Sequence, residues 1–288
     1  MKVSGFTIIR RAIKFDFSVL EAINSILPLC NEFVVAVGNS DDGTLDLIRK
    51  IGDPKIRIIE TIWDERLIGK GGSVLAAETN KALDAISDDA DWAFYIQSDE
   101  VVHEKDLPTI YSAMEKWKEN TQVDGLLFKY LHFYGSYDYL ASSPHWYSRE
   151  IRIIKNHRSV YSFSDAQGFR MGKNKKLRVK PVDAFIYHYG WVKHPITMQK
   201  KRLFHLKWQN EEVSKEEQNT RQFDYSKIDT LQLFKGTHPK VIQSRIEQKN
   251  WKFEYDIAFN RLSLKNRIKK AVKKYFGIEL EYKNYRLI

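Results

Sequence analysis

Trp92-Ala93-Phe94-Tyr95-Ile96-Gln97-Ser98-Asp99-Glu100-Val101-Val102-His103-Glu104 is the stretch from which the fold can be read. It opens as a short apolar, aromatic run, the pattern of a strand buried on both faces. It then breaks into Gln97, Asp99 and Glu100 before any turn residue. In a parallel α/β sheet the carboxyl ends of the strands open onto the ligand crevice, so polar groups there suit a site better than a core. Paired carboxylates in that position can hold a hard divalent cation against a phosphate. The alternative is a pair of ordinary loop acids.

The flanking sequence favours the sheet. Val3 to Ile9 is a β-branched apolar run that ends at Arg10 and Arg11. Ser18 and Glu21 have capping-box spacing, and Val19, Leu20, Ile23, Ile26 and Leu27 follow at helical spacing until Pro28. Phe33 to Val37 reads as a second buried strand. It opens into the turn cluster Gly38-Asn39-Ser40-Asp41-Asp42-Gly43-Thr44, followed by a short helix and a third strand over Ile56 to Ile59. Gly69-Lys70-Gly71-Gly72 reads as a flexible link into a helix from about Ser73 to Ile86. Beyond the fourth strand, Asp106 is placed to cap a helix with Pro108 in its first turn, and Gly125 to Tyr130 reads as a fifth strand. Strands alternating with helices imply βαβ units and a mostly parallel sheet.

After Tyr130 the alternation fails. Residues 131–148 show no period, Arg149 to Lys155 predicts an antiparallel strand, and Ser162 to Arg170 reads as a polar loop containing Asp165. Val182 to Tyr187 predicts another strand that ends at His188-Tyr189-Gly190-Trp191. A basic, aromatic helix is expected from Thr197 to about Glu217.

Composition bounds the function. The chain has 288 residues, 43% hydrophobic and 13% aromatic, enough for one large domain or a domain with an appendage. The single cysteine, Cys30, excludes an internal disulfide and fits a reducing compartment. No run approaches the roughly 20 apolar residues of a membrane span, so the expected location is cytoplasmic, with peripheral contact at the inner face of the membrane as a variant. A net charge of +10 asks for an anionic partner without naming it.

The order of strand, polar turn cluster, helix, strand, helix and acidic strand end resembles the inverting nucleotide-sugar glycosyltransferases of the GT-A fold, family 2, over roughly residues 1–195. The pieces that carry the resemblance are Asn39-Ser40-Asp41-Asp42-Gly43-Thr44, Gln97-Ser98-Asp99-Glu100 and the late His188. The resemblance implies an α/β sheet, mixed but mostly parallel and flanked by helices, with a helical basic C-terminal extension. It divides the chain into a catalytic domain over 1–195 (nucleotide-binding half about 1–105, acceptor-binding half about 106–195) and an extension over 196–288. It implies transfer of a sugar from a UDP- or GDP-sugar to a hydroxyl of a bacterial surface glycan or lipid-linked acceptor.

Asp99 matches the metal-binding aspartate of the family's Asp-x-Asp motif, while Gln97 stands in place of its first aspartate. Gly38 and Asn39 likewise stand where the family shows two aspartates. The implied metal, Mn2+ or Mg2+, would be held by Asp99 and His188, and a structural histidine at a strand end is the alternative for His188. The implied donor contacts are Ile9, Arg10, Asn39, Asp41, Asp42, Lys70, Gln97 and Ser98. Asp165 takes the position of the catalytic base, with Glu150 in reserve.

Arg261 to Tyr275 holds seven Lys/Arg and no acid, with Leu264, Ile268, Ala271, Val272 and Tyr275 at helical spacing. Such a helix either lies on an anionic membrane surface, through 261–276, or packs on the domain. A nucleotidyltransferase using the same acids and metal is a rival reading. So is a basic, non-enzymatic protein that stacks nucleic-acid bases on Trp208, Trp251, Phe253 and Tyr255. No nucleic-acid-binding motif is present, and no nucleic-acid partner is expected.

Overall fold

Strand β1 (Val3–Ile9) is buried along its whole length, because it lies in mid-sheet with both faces covered. The computed structural model describes residues 1–67, 70, 72–209, 214–276 and 282–288. After β1 the chain forms α1 (Val19–Ile26), β2 (Glu32–Gly38), α2 (Thr44–Arg49), β3 (Ile56–Thr61), α3 (Ser73–Asp84) and β4 (Trp92–Tyr95). A short β5 (Glu100–Val102) precedes α4 (Leu107–Trp117). Then come β6 (Gly125–Tyr134), β7 (Ser136–Ala141), β8 (Arg149–Lys155), β9 (Val160–Phe163), β10 (Gly168–Met171), β11 (Lys175–Lys176) and the long β12 (Arg178–Trp191). The remainder holds α5 (Pro195–Gln209), α6 (Lys215–Asn219), β13 (Leu231–Leu233), α7 (Gln243–Glu247), α8 (Leu264–Phe276) and β14 (Arg286–Leu287).

The main sheet runs β13-β7-β6-β8-β4-β1-β2-β3, with β12 beside β6 and with β5 and β14 on β12. β1 pairs in parallel with both β2 and β4, β2 with β3, and β12 with β6. β8 lies antiparallel between β4 and β6, so those two still point the same way. The architecture is therefore the expected one, a mixed α/β sheet with most strands in one direction.

Alternation along the strands builds two cores. Phe33, Val35 and Val37 face α1 and α4, together with Ile23, Ile26, Ile110 and Met114. Val34 and Ala36 face α3 and Phe169 on the opposite side. A Cβ on Gly5 would collide with Phe33 and meet Cys30 Sγ at 2.8 Å, so only glycine admits these side chains there. Complete burial of Phe33 alone stabilises the fold by about 2 kcal/mol.

Several local expectations change. Ser18 precedes α1 but caps nothing; its hydroxyl donates to the Ser98 carbonyl at 3.4 Å. Glu21 pairs with Arg245 Nε at 2.7 Å instead of closing a capping box. Asp106 likewise makes no cap and accepts from the Phe185 amide at 3.2 Å. The aperiodic 131–148 region contains the hairpin β6–β7, turned at Gly135 with φ 72°. Its period is hidden because Tyr134, Tyr137 and Leu140 are all buried in aromatic clusters. The region around Asp165 is a hairpin tip between β9 and β10. Residues beyond 195 are not helical throughout, since β13 adds to the sheet edge beside β7 and β14 pairs with β12. Gly69 and Gly71 of the expected link lie outside the described residues.

Candidate active site

From β1 the chain steps outward to β2 and β3, then returns to the other side of β1 as β4. The switch point therefore lies beyond the carboxyl ends of β1 and β4, which deliver Arg10 and Gln97 to Asp99. A cleft of about 200 Å³ opens there, walled by Ile9, Arg10, Trp63, Gln97, Asp99 and Asp165 and closed by Lys201, Phe204 and His205. Ser98 also lines it.

Three strands converge on Asp99. Tyr189 N–H donates to the Asp99 carbonyl at 2.8 Å, and His188 is in register with Glu100 on one side and His132 on the other. His132 Nε2 donates to the Tyr147 carbonyl at 2.8 Å, which leaves its Nδ1 to accept from His188 Nδ1–H at 3.0 Å. Burial pushes the His132 imidazole down to about 3 and lowers that of His188, so the fold favours the neutral form of both rings. His188 Nε2 then carries a lone pair, and it faces Asp99 Oδ1 at 3.8 Å.

Two electron-rich atoms across a gap suit a cation. Lys201 Nζ stands beside them, 3.2 Å from Asp99 Oδ2. Burial alone would raise the Asp99 carboxyl, but Lys201, through its charge and its hydrogen bond, outweighs it and holds the group well below the usual carboxylate range. Gly190 keeps the corner open, because a Cβ there would come within 2.6 Å of both Asp99 Oδ2 and His188 Nε2. It lies in a register irregularity of β12 between His188 and Trp191, a device common beside active sites. The donor set of one carboxylate and one imidazole thus fits a divalent cation that completes its shell with phosphate oxygens and water. Among the described residues no cluster of three or more His, Cys, Asp or Glu forms a fuller protein cage.

Glu100 does not share this role. Its carboxylate turns into the core, where Arg152 grips it through Nε at 2.8 Å and a terminal nitrogen at 2.7 Å, with both side chains fully buried. Tyr130 donates to it at 2.7 Å and the Gln97 amide at 3.1 Å, so the ion pair fixes the turn that presents Asp99. Removing one partner of a buried pair leaves an uncompensated charge. Arg152→Met is expected to cost about 3–5 kcal/mol in urea unfolding, most of it recovered in Arg152→Met with Glu100→Leu. A loss below about 1 kcal/mol would contradict the structural role.

Gln97 gains a role that its sequence position did not suggest. Its side-chain N–H donates to the Ala166 carbonyl at 3.2 Å, which an aspartate could not do, and so ties the acidic turn to the hairpin tip carrying Asp165. Ser164 and Ala166 on either side of Asp165 have positive φ, 57° and 60°, and such strain gathers at functional sites. Gly72 presses on the same residue, since a Cβ there would meet Asp165 Cα at 2.7 Å. Asp165 also borders a second cleft of about 240 Å³ with Glu150, Tyr147 and Tyr282. Burial raises the Glu150 carboxyl to about 7.

The remaining expected donor residues are not gathered in the cleft. The Asn39 carbonyl accepts from Arg10 Nε at 3.0 Å, and Asp41 pairs with Arg11 at 3.2 Å on the surface. Asp42 accepts from the Thr44 amide at 3.2 Å and the Lys14 amide at 2.7 Å, which commits it to holding the turn. Lys70 is exposed on the turn before α3 and does not line the cleft.

Lys193, Lys201, Phe204, His205, Trp63 and His132 were not singled out in the sequence. The spacing of Lys201, Phe204 and His205 places them on one helical face, and that signal was available. Lys193 is completely buried, and burial beside Lys201 pushes its ammonium down to about 7. Trp63 packs closely against Gly38, where a Cβ would collide with its indole, and the Arg10 guanidinium lies over the ring, 5.5 Å from its centre. The aromatics suggested for base stacking are packed instead: Phe253 lies on Gly135 and Tyr225, and Trp251 donates to the Gly135 carbonyl at 2.7 Å. The side chain of Trp208 lies outside the described residues.

No family model matches the chain, and no curated protein matches it. Among solved structures it is similar to S. aureus TarS 1-349 in complex with UDP, at 15% identity over 75% of this chain and 68% of that one, TM-score 0.44. It is also similar to S. aureus TarS at 15% identity, 75% and 41% coverage and TM-score 0.42. Glucosyl-3-phosphoglycerate synthase from Mycobacterium tuberculosis, in complex with Mn2+, UDP and phosphoglyceric acid, matches at 18% identity, 46% and 43% coverage and TM-score 0.31. The matched part is thus well under half of the second and third of these proteins.

Proposed function

We propose that the chain is a GT-A-type glycosyltransferase, dependent on Mn2+ or Mg2+, that moves a sugar from a UDP- or GDP-sugar to an acceptor hydroxyl with inversion. The observation that carries this reading is the corner held open by Gly190 between Asp99 and His188, at the switch point of the sheet. Asp99 and His188 would hold the cation, which when bound neutralises charge growing on the departing nucleoside diphosphate. Arg10 and Lys201 add positive charge around the same cleft, suited to a diphosphate. Ile9, Trp63, Gln97 and Ser98 shape the donor side.

Asp165 is the base in this proposal. The acceptor oxygen bonds to the anomeric carbon, the carbon–oxygen bond to the diphosphate breaks, and the acceptor proton passes to the Asp165 carboxylate. Its position between the two clefts supports that role, and the cleft beside Glu150 supplies an acceptor side. A glycan or lipid-linked alcohol is the acceptor class, and in this scheme the catalytic unit is residues 1–195 together with α5, which brings Lys201 to the cleft.

The test is nucleoside diphosphate release from a panel of UDP- and GDP-sugars with Mn2+, run beside thermal shift with the nucleotide alone. Metal-dependent stabilisation of several degrees and diphosphate release are expected. Pyrophosphate release in their place would assign the site to nucleotidyl transfer.

A further inference from the structure

Of the fourteen large apolar side chains left exposed among the described residues, six lie between Ile257 and Phe276: Ile257, Phe259, Leu264, Ile268, Tyr275 and Phe276. Four of them are on α8. An amphipathic helix on a globular domain ordinarily turns its apolar stripe inward. Here the stripe is turned outward. Leu264 and Tyr275 are 75% and 73% exposed, while the polar Asn266 is buried and donates to His145 Nε2 at 2.8 Å.

The helical wheel accounts for both faces. At about 100° per residue, Leu264, Ile268, Ala271 and Tyr275 fall within about 60° of arc. Asn266, Lys270 and Lys273 project from the opposite side. Lys269, Lys270 and Lys273 line a cleft of about 180 Å³ against Trp146 and His132, so the cationic face covers the body of the protein. Lys265, Arg267 and Lys274 occupy the two flanks between these faces. No acid occurs from Arg261 to Phe276.

We propose that α8 docks the protein on an anionic lipid surface, with the stripe Leu264, Ile268 and Tyr275 lying in the headgroup–acyl boundary. Charge complementarity selects this occupant. The flanking cations sit at the depth where long basic side chains reach up to lipid phosphates, and the absence of acids removes repulsion. No described helix is long and apolar enough to cross a membrane, so the contact is peripheral. A second copy of the chain would have to bring its own α8 against this one, facing Lys265, Arg267 and Lys274 with the same cations.

Flotation with vesicles of phosphatidylglycerol and phosphatidylcholine, against phosphatidylcholine alone, tests this without any donor or metal. Partitioning is therefore independent of the catalytic reading. Binding to the anionic vesicles is expected, weakened by salt. Leu264→Asp with Ile268→Asp is expected to reduce it about tenfold or more, and Lys265→Glu with Lys274→Glu to remove its preference for anionic lipid. All four side chains are exposed, so unchanged thermal unfolding should confirm the fold. Undiminished flotation in both double variants would overturn the proposal. A lipid-free dimer that Leu264→Asp with Ile268→Asp makes monomeric would also overturn it, by assigning the stripe to self-association.

Discussion

Asp99→Asn is expected to abolish metal-dependent nucleoside diphosphate release while leaving a folded protein. In the proposed reading the carboxylate is the charged half of a two-residue cation site, and a metal's stabilisation of a leaving diphosphate is worth several kcal/mol. Loss of about 3–4 kcal/mol corresponds to a rate reduction of roughly 10²–10³-fold. The asparagine keeps the volume and can still face Lys201, so the packing around Gly190 survives. His188→Ala should weaken the metal requirement in the same direction. A separate readout is thermal shift by Mn2+ with UDP, which Asp99→Asn is expected to lose. Turnover like that of the unmodified protein in Asp99→Asn, at saturating metal, would remove the central claim.

Much of the sheet was legible because its strands are local signals. Phe33 to Val37 and Trp92 to Tyr95 are continuous apolar runs, and the sheet buries both their faces. The antiparallel strand at Arg149 to Lys155 was legible as well. What escaped depends on register. Nothing in the chain places His132 beside His188, since that contact arises from the parallel pairing of β6 with β12. The division of labour between Asp99 and Glu100 was hidden for a similar reason. Adjacent residues entering an extended segment point to opposite sides, and the partner that claims Glu100, Arg152, is 52 positions away.

The same limit applies to α8 and to Gln97. Periodicity located the amphipathic helix of the tail, but it cannot say which face meets the body. Gln97 read as a departure from an aspartate position. In the fold its amide is a donor that fastens the tip carrying Asp165, so the substitution links the acidic turn to the neighbouring hairpin.

That hairpin carries the second large effect. Asp165→Asn removes the proposed proton acceptor without changing shape, and general-base catalysis is worth about 10²–10⁴-fold. Transfer is expected to fall by that factor while stabilisation by UDP-sugar with Mn2+ stays intact, because Asp165 lies at the edge of the donor cleft rather than at the cation corner. Glu150→Gln is the necessary companion. Burial holds the Glu150 carboxyl at about 7, up from the ordinary 4.5, so the fold favours its neutral form. Its contribution to stability is therefore fully present below about pH 4.5 and is lost as pH rises through about 7. Glu150→Gln should flatten that part of the stability profile whether or not Glu150 takes part in transfer. The pH profile of transfer separates the two carboxyls. A base at Glu150 would make activity climb through about pH 7 and disappear in Glu150→Gln. A base at Asp165 leaves the Glu150→Gln variant active, without that climb. Retained transfer in Asp165→Asn, together with its loss in Glu150→Gln, would move the base to Glu150 and make the 240 Å³ cleft, rather than the hairpin tip, the seat of proton removal.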